Sequence, residues 1–181
     1  MKLSPLTVNI AEYPAELQPF LADAKLCDSS CSPNATVLFI DKGDGYFLKS
    51  AAKGALEREA AMTRFFHGKG LSAEVFAYIS AERDYMLTAK IPGDDCLAGK
   101  YLEQPERLAE TLAERLFLLH DADFAGCPVP NHTELYLANA KNNYRAGIFG
   151  KEPQPDYWGC ASADEAYKVI ETQGYLLRTD T

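Results

Sequence analysis

No segment of this 181-residue chain approaches the roughly 20 consecutive apolar residues that a bilayer-spanning helix requires, so no membrane partner is expected. The opening residues, Met1-Lys2-Leu3-Ser4-Pro5-Leu6, lack the long apolar stretch of a secretory signal, and a cytoplasmic location is the expectation. Positive charge is scarce too: 18 Lys and Arg stand against 26 Asp and Glu, a net charge of −8. Gripping a phosphate backbone takes clustered cations, so nucleic acid is excluded as an expected partner. An acidic cleft attracts cations instead, although a solvated acidic surface is the plainer reading. The five cysteines, at 27, 31, 96, 127 and 160, are odd in number and form no Cys-x-x-Cys pair. Neither a disulfide framework nor a zinc site is expected from them. His67, His120 and His132 are scattered, and no glycine-rich Walker loop occurs.

What the chain has is an ordinary globular composition, 47% hydrophobic and 24% charged, enough for one sizeable core or two small lobes. A short helix, interrupted near Pro14, is expected over 9–22, and a polar loop over 27–34. Two β-favouring runs, 36–40 and 46–48, flank Asp41-Lys42-Gly43-Asp44-Gly45 and predict a hairpin. Residues 54–67 carry helical periodicity, closed by Gly68-Lys69-Gly70. Strands are expected at 75–79 and 85–89, joined through 80–84, with a connector at Ile91-Pro92-Gly93. Thereafter the pattern turns helical. One helix starts at Pro105 and carries a stripe of Leu108, Leu112, Leu116 and Leu119; a second covers 133–146. A third starts at the capping-box sequence Ser162-Ala163-Asp164-Glu165 and is ended by Gly174.

Three stretches are candidates for chemistry. Lys49 closes the run Gly45-Tyr46-Phe47-Leu48-Lys49, and Glu59 lies ten residues on in the next helix, where it can reach back to the ammonium group. Kinase-like folds hold nucleotide phosphates with such a pair. Ser32, Asn34 and Ala35 are small residues in a turn whose backbone N–H groups can cradle phosphate. The strand Tyr85-Met86-Leu87-Thr88-Ala89-Lys90-Ile91 leaves its sheet with backbone groups free to pair with a flat heterocycle. Taken singly, each also reads as ordinary structure: a solvent-facing lysine with a charged helix face, a plain turn, and an edge strand.

Their order, with further matches, resembles the aminoglycoside phosphotransferase family, in its 3′-phosphotransferase branch. The resemblance runs from about Ser32 to the C-terminus. It includes Phe47-Leu48-Lys49, Leu56-Glu57-Arg58-Glu59, Ile91-Pro92-Gly93-Asp94-Asp95, Leu118-Leu119-His120, Cys127-Pro128 and Asn139-Ala140-Lys141-Asn142. Asp156-Tyr157-Trp158 and Asp164-Glu165-Ala166-Tyr167 complete it. The resemblance implies an α+β, protein-kinase-like fold. An N-terminal antiparallel-sheet lobe with one main helix, residues 1–91, would be followed by a linker and a partial helical C-terminal lobe, residues 92–181.

It further implies that Lys49 contacts the α- and β-phosphates of ATP and that Glu59 orients it. The loop of Ser32, Asn34 and Ala35 would lie over the phosphates. Backbone groups of Ala89 and Ile91 would pair with adenine, with Thr88 at the back of its pocket. The family's His-Gly-Asp loop, with its catalytic Asp, and the Asn and Asp that hold Mg²⁺ do not occur here; Asp180 lacks the preceding His-Gly. The expectation is therefore the first two-thirds of an enzyme that phosphorylates a hydroxyl of an aminoglycoside antibiotic, conferring resistance. Alternatives are an inactive nucleotide-binding remnant or interaction module, self-associating through exposed apolar surface, and a kinase of another small hydroxylated substrate.

Overall fold

A computed structural model of the chain describes residues 3–130, 132–148, 160 and 162–173. Six antiparallel strands form one sheet in the order β1-β2-β3-β4-β6-β5. They are β1 (Ser4–Pro5), β2 (Lys25–Asp28), β3 (Ala35–Asp41), β4 (Tyr46–Ala52), β5 (Val75–Ser80) and β6 (Arg83–Ala89). β3 and β4 form the expected hairpin, with Leu38 opposite Leu48 and Val37 opposite Lys49. Its connector needs glycine at position 45, where φ is +89° and a Cβ would stand 3.2 Å from the Phe39 ring and 3.1 Å from the Lys90 side chain.

Side chains alternate across a strand, so the pairing register sorts the sheet into two faces. Leu38, Ile40, Leu48 and Leu87 point to one face and bury against Leu17 and Leu21, which flank and close the short helix α1 (Gln18–Leu21). The opposite face carries Val37, Phe39, Phe47, Lys49, Ala51, Asp84, Met86 and Thr88. Helix α2 (Glu57–His67) covers one end of that second face, with Leu56 and Ala60 packed on Ala51 and Met86. Glu57 and Glu59 in its first turn and Arg64 and His67 in its last complement the helix dipole.

The chain divides into two compact units, Met1–Val129 and Pro130–Thr181. After the sheet, the first unit holds α3 (Gly99–Leu102) and α4 (Pro105–His120), the latter beginning at Pro105 as expected. The second holds α5 (Thr133–Arg145) and α6 (Ala163–Gln173). There the Tyr144 and Tyr167 rings stack at 4.2 Å, and the Tyr144 hydroxyl donates to Asp164 at 2.7 Å. The Glu165 N–H donates to the Ser162 hydroxyl oxygen at 3.2 Å, half of the expected capping box.

Four expectations need correction. The N-terminal helix is a 3₁₀ turn at Ile10–Glu12 followed by the four-residue α1, because the proline at 14 breaks the run. The stretch 27–34 is not all loop: Cys27 and Asp28 pair with Phe39 and Leu38 in β2. The phosphate-type loop therefore joins two paired strands rather than a helix and a strand. Asp84 sits inside β6 rather than in the preceding turn. Lys49 is central in β4, which continues to Ala52. The expected stop at Gly174 and the matching segment Asp156-Tyr157-Trp158 lie outside the described residues.

Candidate functional site

Glu59 is the third residue of α2, and its carboxylate meets Lys49 on the sheet face that the helix covers. The Lys49 ammonium donates to Oε1 at 2.8 Å and to Oε2 at 2.7 Å, a two-pronged ion pair. The side chains retain 30% and 42% of their exposure, so this cation is held in place yet open to a ligand. A half-solvated pair of this kind adds little to stability. Its value is to fix where a positive charge stands.

The loop between β2 and β3 hangs over this pair. The Asp28 carboxylate accepts from the Ser30 hydroxyl at 2.6 Å and from the Ser30 N–H at 2.9 Å, and these two donors hold its pKa below the usual carboxylate value. The Ser30 hydroxyl oxygen in turn accepts from the Val37 N–H at 2.9 Å, pinning the loop to the sheet. At the tip, the Asn34 N–H donates to the Ser32 hydroxyl oxygen at 3.2 Å, and Ser32 bridges to Ala35. A cavity of about 360 Å³ opens beneath, lined by Ser32, Asn34, Ala35, Val37, Lys49 and Glu59 among others. Five of the eight site residues expected from sequence thus surround one space.

The other three border a second cavity, of about 610 Å³, lined by Phe39, Phe47, Thr88, Ala89, Lys90 and Ile91 among others. The Ala89 N–H is already given to the Glu74 carbonyl at 2.9 Å and the Lys90 N–H to the Gly45 carbonyl at 3.1 Å. Among the described residues the Ile91 N–H has no protein partner. The Phe39 and Phe47 rings lie 5.2 Å apart, and the Lys90 ammonium stands 5.5 Å over Phe39. Thr88 is tied to the Phe47 carbonyl by a long contact of 3.5 Å.

The two cavities share a sheet face. Val37 and Lys49 form one cross-strand pair and Phe39 and Phe47 the next pair on that face, about 7 Å along the strands. Such an arrangement offers a fixed cation and backbone N–H groups at one end, and a flat apolar slot with a free N–H at the other. Among the described residues no group of three or more His, Cys, Asp or Glu side chains is placed to hold a metal ion.

The sequence pattern of the phosphotransferase enzyme family matches residues 29–166, a span that includes this whole site. The chain belongs to that family. A "probable aminoglycoside 3'-phosphotransferase" of Lactococcus lactis subsp. lactis (strain IL1403) is 43% identical to this family member over 180 residues. The match takes in 99% of the present chain and 68% of the relative. A solved structure, an aminoglycoside-3'-phosphotransferase of type VIII, superposes with a TM-score of 0.60 at 20% identity, covering 94% of this chain and 62% of that one. At that identity the likeness speaks for the fold, which is protein-kinase-like: an antiparallel sheet with one main helix, followed by helices. The chain spans less than two-thirds of the length of this solved relative.

Sequence reasoning overlooked Asp84. It is fully buried, and its carboxylate accepts hydrogen bonds from the Leu56 N–H and the Ser80 and Tyr78 hydroxyls. The one signal available was a carboxylate next to a run of strand-forming residues, and Asp84 reads equally well there as part of a polar turn.

Proposed function

We propose that these 181 residues form the nucleotide-binding part of an ATP-dependent phosphotransferase of the aminoglycoside 3′ type, which moves the γ-phosphate of ATP to an aminoglycoside hydroxyl. The observation that carries this reading is the Lys49–Glu59 pair, formed at 2.7–2.8 Å beneath a pinned hairpin loop. Phosphoryl transfer is governed by positioning and charge neutralisation, and a lysine fixed by a helix carboxylate supplies both to the α- and β-phosphates. Backbone N–H groups of the loop holding Ser32, Asn34 and Ala35 are suited to cover the phosphates, apart from that of Asn34, which is given to the Ser32 hydroxyl. The Phe39 and Phe47 rings offer apolar contact to adenine, Thr88 backs the slot, and backbone groups of Ala89 and Ile91 pair with the base edge. The Ala89 N–H is committed to Glu74, so only its carbonyl serves that purpose. On this reading the functional lobe boundary falls at 91/92, after the last strand.

Mg²⁺, when bound with the nucleotide, would supply neutralisation of the phosphate charge, and the resemblance assigns its Asn and Asp ligands to the sequence that follows the family's His-Gly-Asp loop. The family's His-Gly-Asp sequence does not occur within residues 1–181. A polypeptide of these residues is therefore proposed to bind ATP without measurable turnover. A cationic aminoglycoside suits a chain of net charge −8, and the proposed role is antibiotic resistance in the cytoplasm.

Titration with a fluorescent N-methylanthraniloyl ATP tests the reading directly. The wild-type chain is expected to bind, and Lys49→Ala to weaken binding about 10- to 100-fold, the worth of one charge-assisted contact. Equal affinity of the two proteins would remove Lys49 from the site and with it the main support for this function.

A further inference from the structure

Helix α2 starts without a cap of its own. Its N-cap position is Leu56, which has no side chain able to accept a hydrogen bond, although the first N–H groups of a helix need acceptors and carry its positive dipole end. An acceptor comes instead from the sheet, 28 residues further along the chain: Asp84 Oδ2 takes the Leu56 N–H at 2.9 Å. The same oxygen accepts from the Tyr78 hydroxyl at 3.1 Å, and Oδ1 from the Ser80 hydroxyl at 2.7 Å. Asp84 lies directly opposite Ala51 on β4, two residues from Lys49 on the same face. Glu59 follows Leu56 by three residues, about 4.5 Å along the helix axis. One carboxylate on β6, the strand paired directly with the lysine's β4, is therefore bonded to the residue that opens the helix turn carrying its partner.

Burying a charge is costly, and packing alone between Ala51, Leu56 and Met86 would be served by an apolar residue. A carboxylate there adds direction, because it fixes both the height and the rotation of the helix start. We propose that Asp84 is a positioning residue for the Lys49–Glu59 pair, anchoring α2 to the sheet so that Glu59 is held against Lys49 before any nucleotide arrives. Its consequence for catalysis rests on the nucleotide-binding reading above, whereas the anchoring itself does not.

The test is acetylation of lysines by limiting acetic anhydride, quantified by mass spectrometry, with exposed Lys25 as internal standard. In the folded wild-type chain the two-pronged ion pair is expected to slow labelling of Lys49. Glu59→Gln is expected to raise Lys49 labelling severalfold relative to Lys25. Asp84→Asn is expected to raise it toward the same level, with no further rise in the double variant. A folded Asp84→Asn protein that labels at the wild-type rate overturns the proposal, since a role confined to stability would leave Lys49 protected. Should Asp84→Asn fail to fold, Tyr78→Phe and Ser80→Ala each remove one hydrogen bond. Faster Lys49 labelling in either supports the anchor, and wild-type rates in both overturn it. The labelling needs no ligand, so failure of the wild-type chain to bind fluorescent ATP would count against the function alone.

Discussion

Asp84 keeps its charge inside the protein through neighbours rather than solvent. Burial by itself pushes its pKa up, but donors from the Leu56 N–H, Ser80, the Gly54 N–H and Tyr78 outweigh that and hold it lowered to about 2. An unfolded aspartate titrates near 3.9. Its ionised form therefore favours the folded state in full above that value, and the contribution disappears as pH falls through about 2. Asp84→Asn is expected to cost roughly 1–3 kcal/mol at neutral pH, because it leaves buried donors without their acceptor. Urea unfolding across pH should show the gap between wild type and variant constant from pH 7 to about 4 and narrowing below it. A gap that stays constant to pH 2 would mean that folding does not lower the Asp84 pKa. The Lys49–Glu59 pair behaves differently: half exposed and open to solvent, it belongs to ligand binding more than to stability.

Among the elements, the β2–β3 loop is the one whose conformation bears on ligand binding most directly. The Ser30 hydroxyl both donates to Asp28 and accepts from the Val37 N–H, so Ser30→Ala removes both of these ties and leaves only the bond from its own N–H to Asp28. The change is expected to cost about 1 kcal/mol, lowering Tm by about 3 °C. Affinity for fluorescent ATP should fall severalfold. Unchanged affinity would show that the loop takes no part in holding phosphate. The strand preceding this loop was illegible in the sequence, since Lys-Leu-Cys-Asp is short and mixed and gains strand character only by pairing with β3. By contrast, the β3–β4 hairpin and α4 could be read locally, from a glycine connector and from Pro105 at a helix start. Lys49 and Glu59 were legible for the same reason: a strand followed closely by a helix leaves few geometries. Asp84 was not, because its partners on α2 and β5 are brought to it by the tertiary register and not by sequence spacing.

Over the molecule as a whole, the uneven distribution of buried surface matters most. The sheet closes a dense core around Leu38, Ile40, Leu48 and Leu87, whereas no residue of α4 is buried. Along that helix Leu112, Leu116, Phe117 and Leu118 are exposed, Phe117 to 67%. Leu112 and Leu116 continue the stripe of Leu108 and Leu119, whereas Phe117 and Leu118 stand exposed among Glu106, Arg107, Glu110 and Arg115, so apolar surface is open to solvent on more than one side of the helix. Contiguous exposed apolar surface of this kind drives association in water. A polypeptide of these 181 residues is therefore expected to self-associate, its mass by light scattering rising with concentration. Replacing Leu116 and Phe117 together by glutamate should return it to a monomer without loss of ATP affinity, because the candidate site lies on the sheet face around Lys49. If the double variant keeps the wild-type mass, the association runs through another surface and α4 is not its cause.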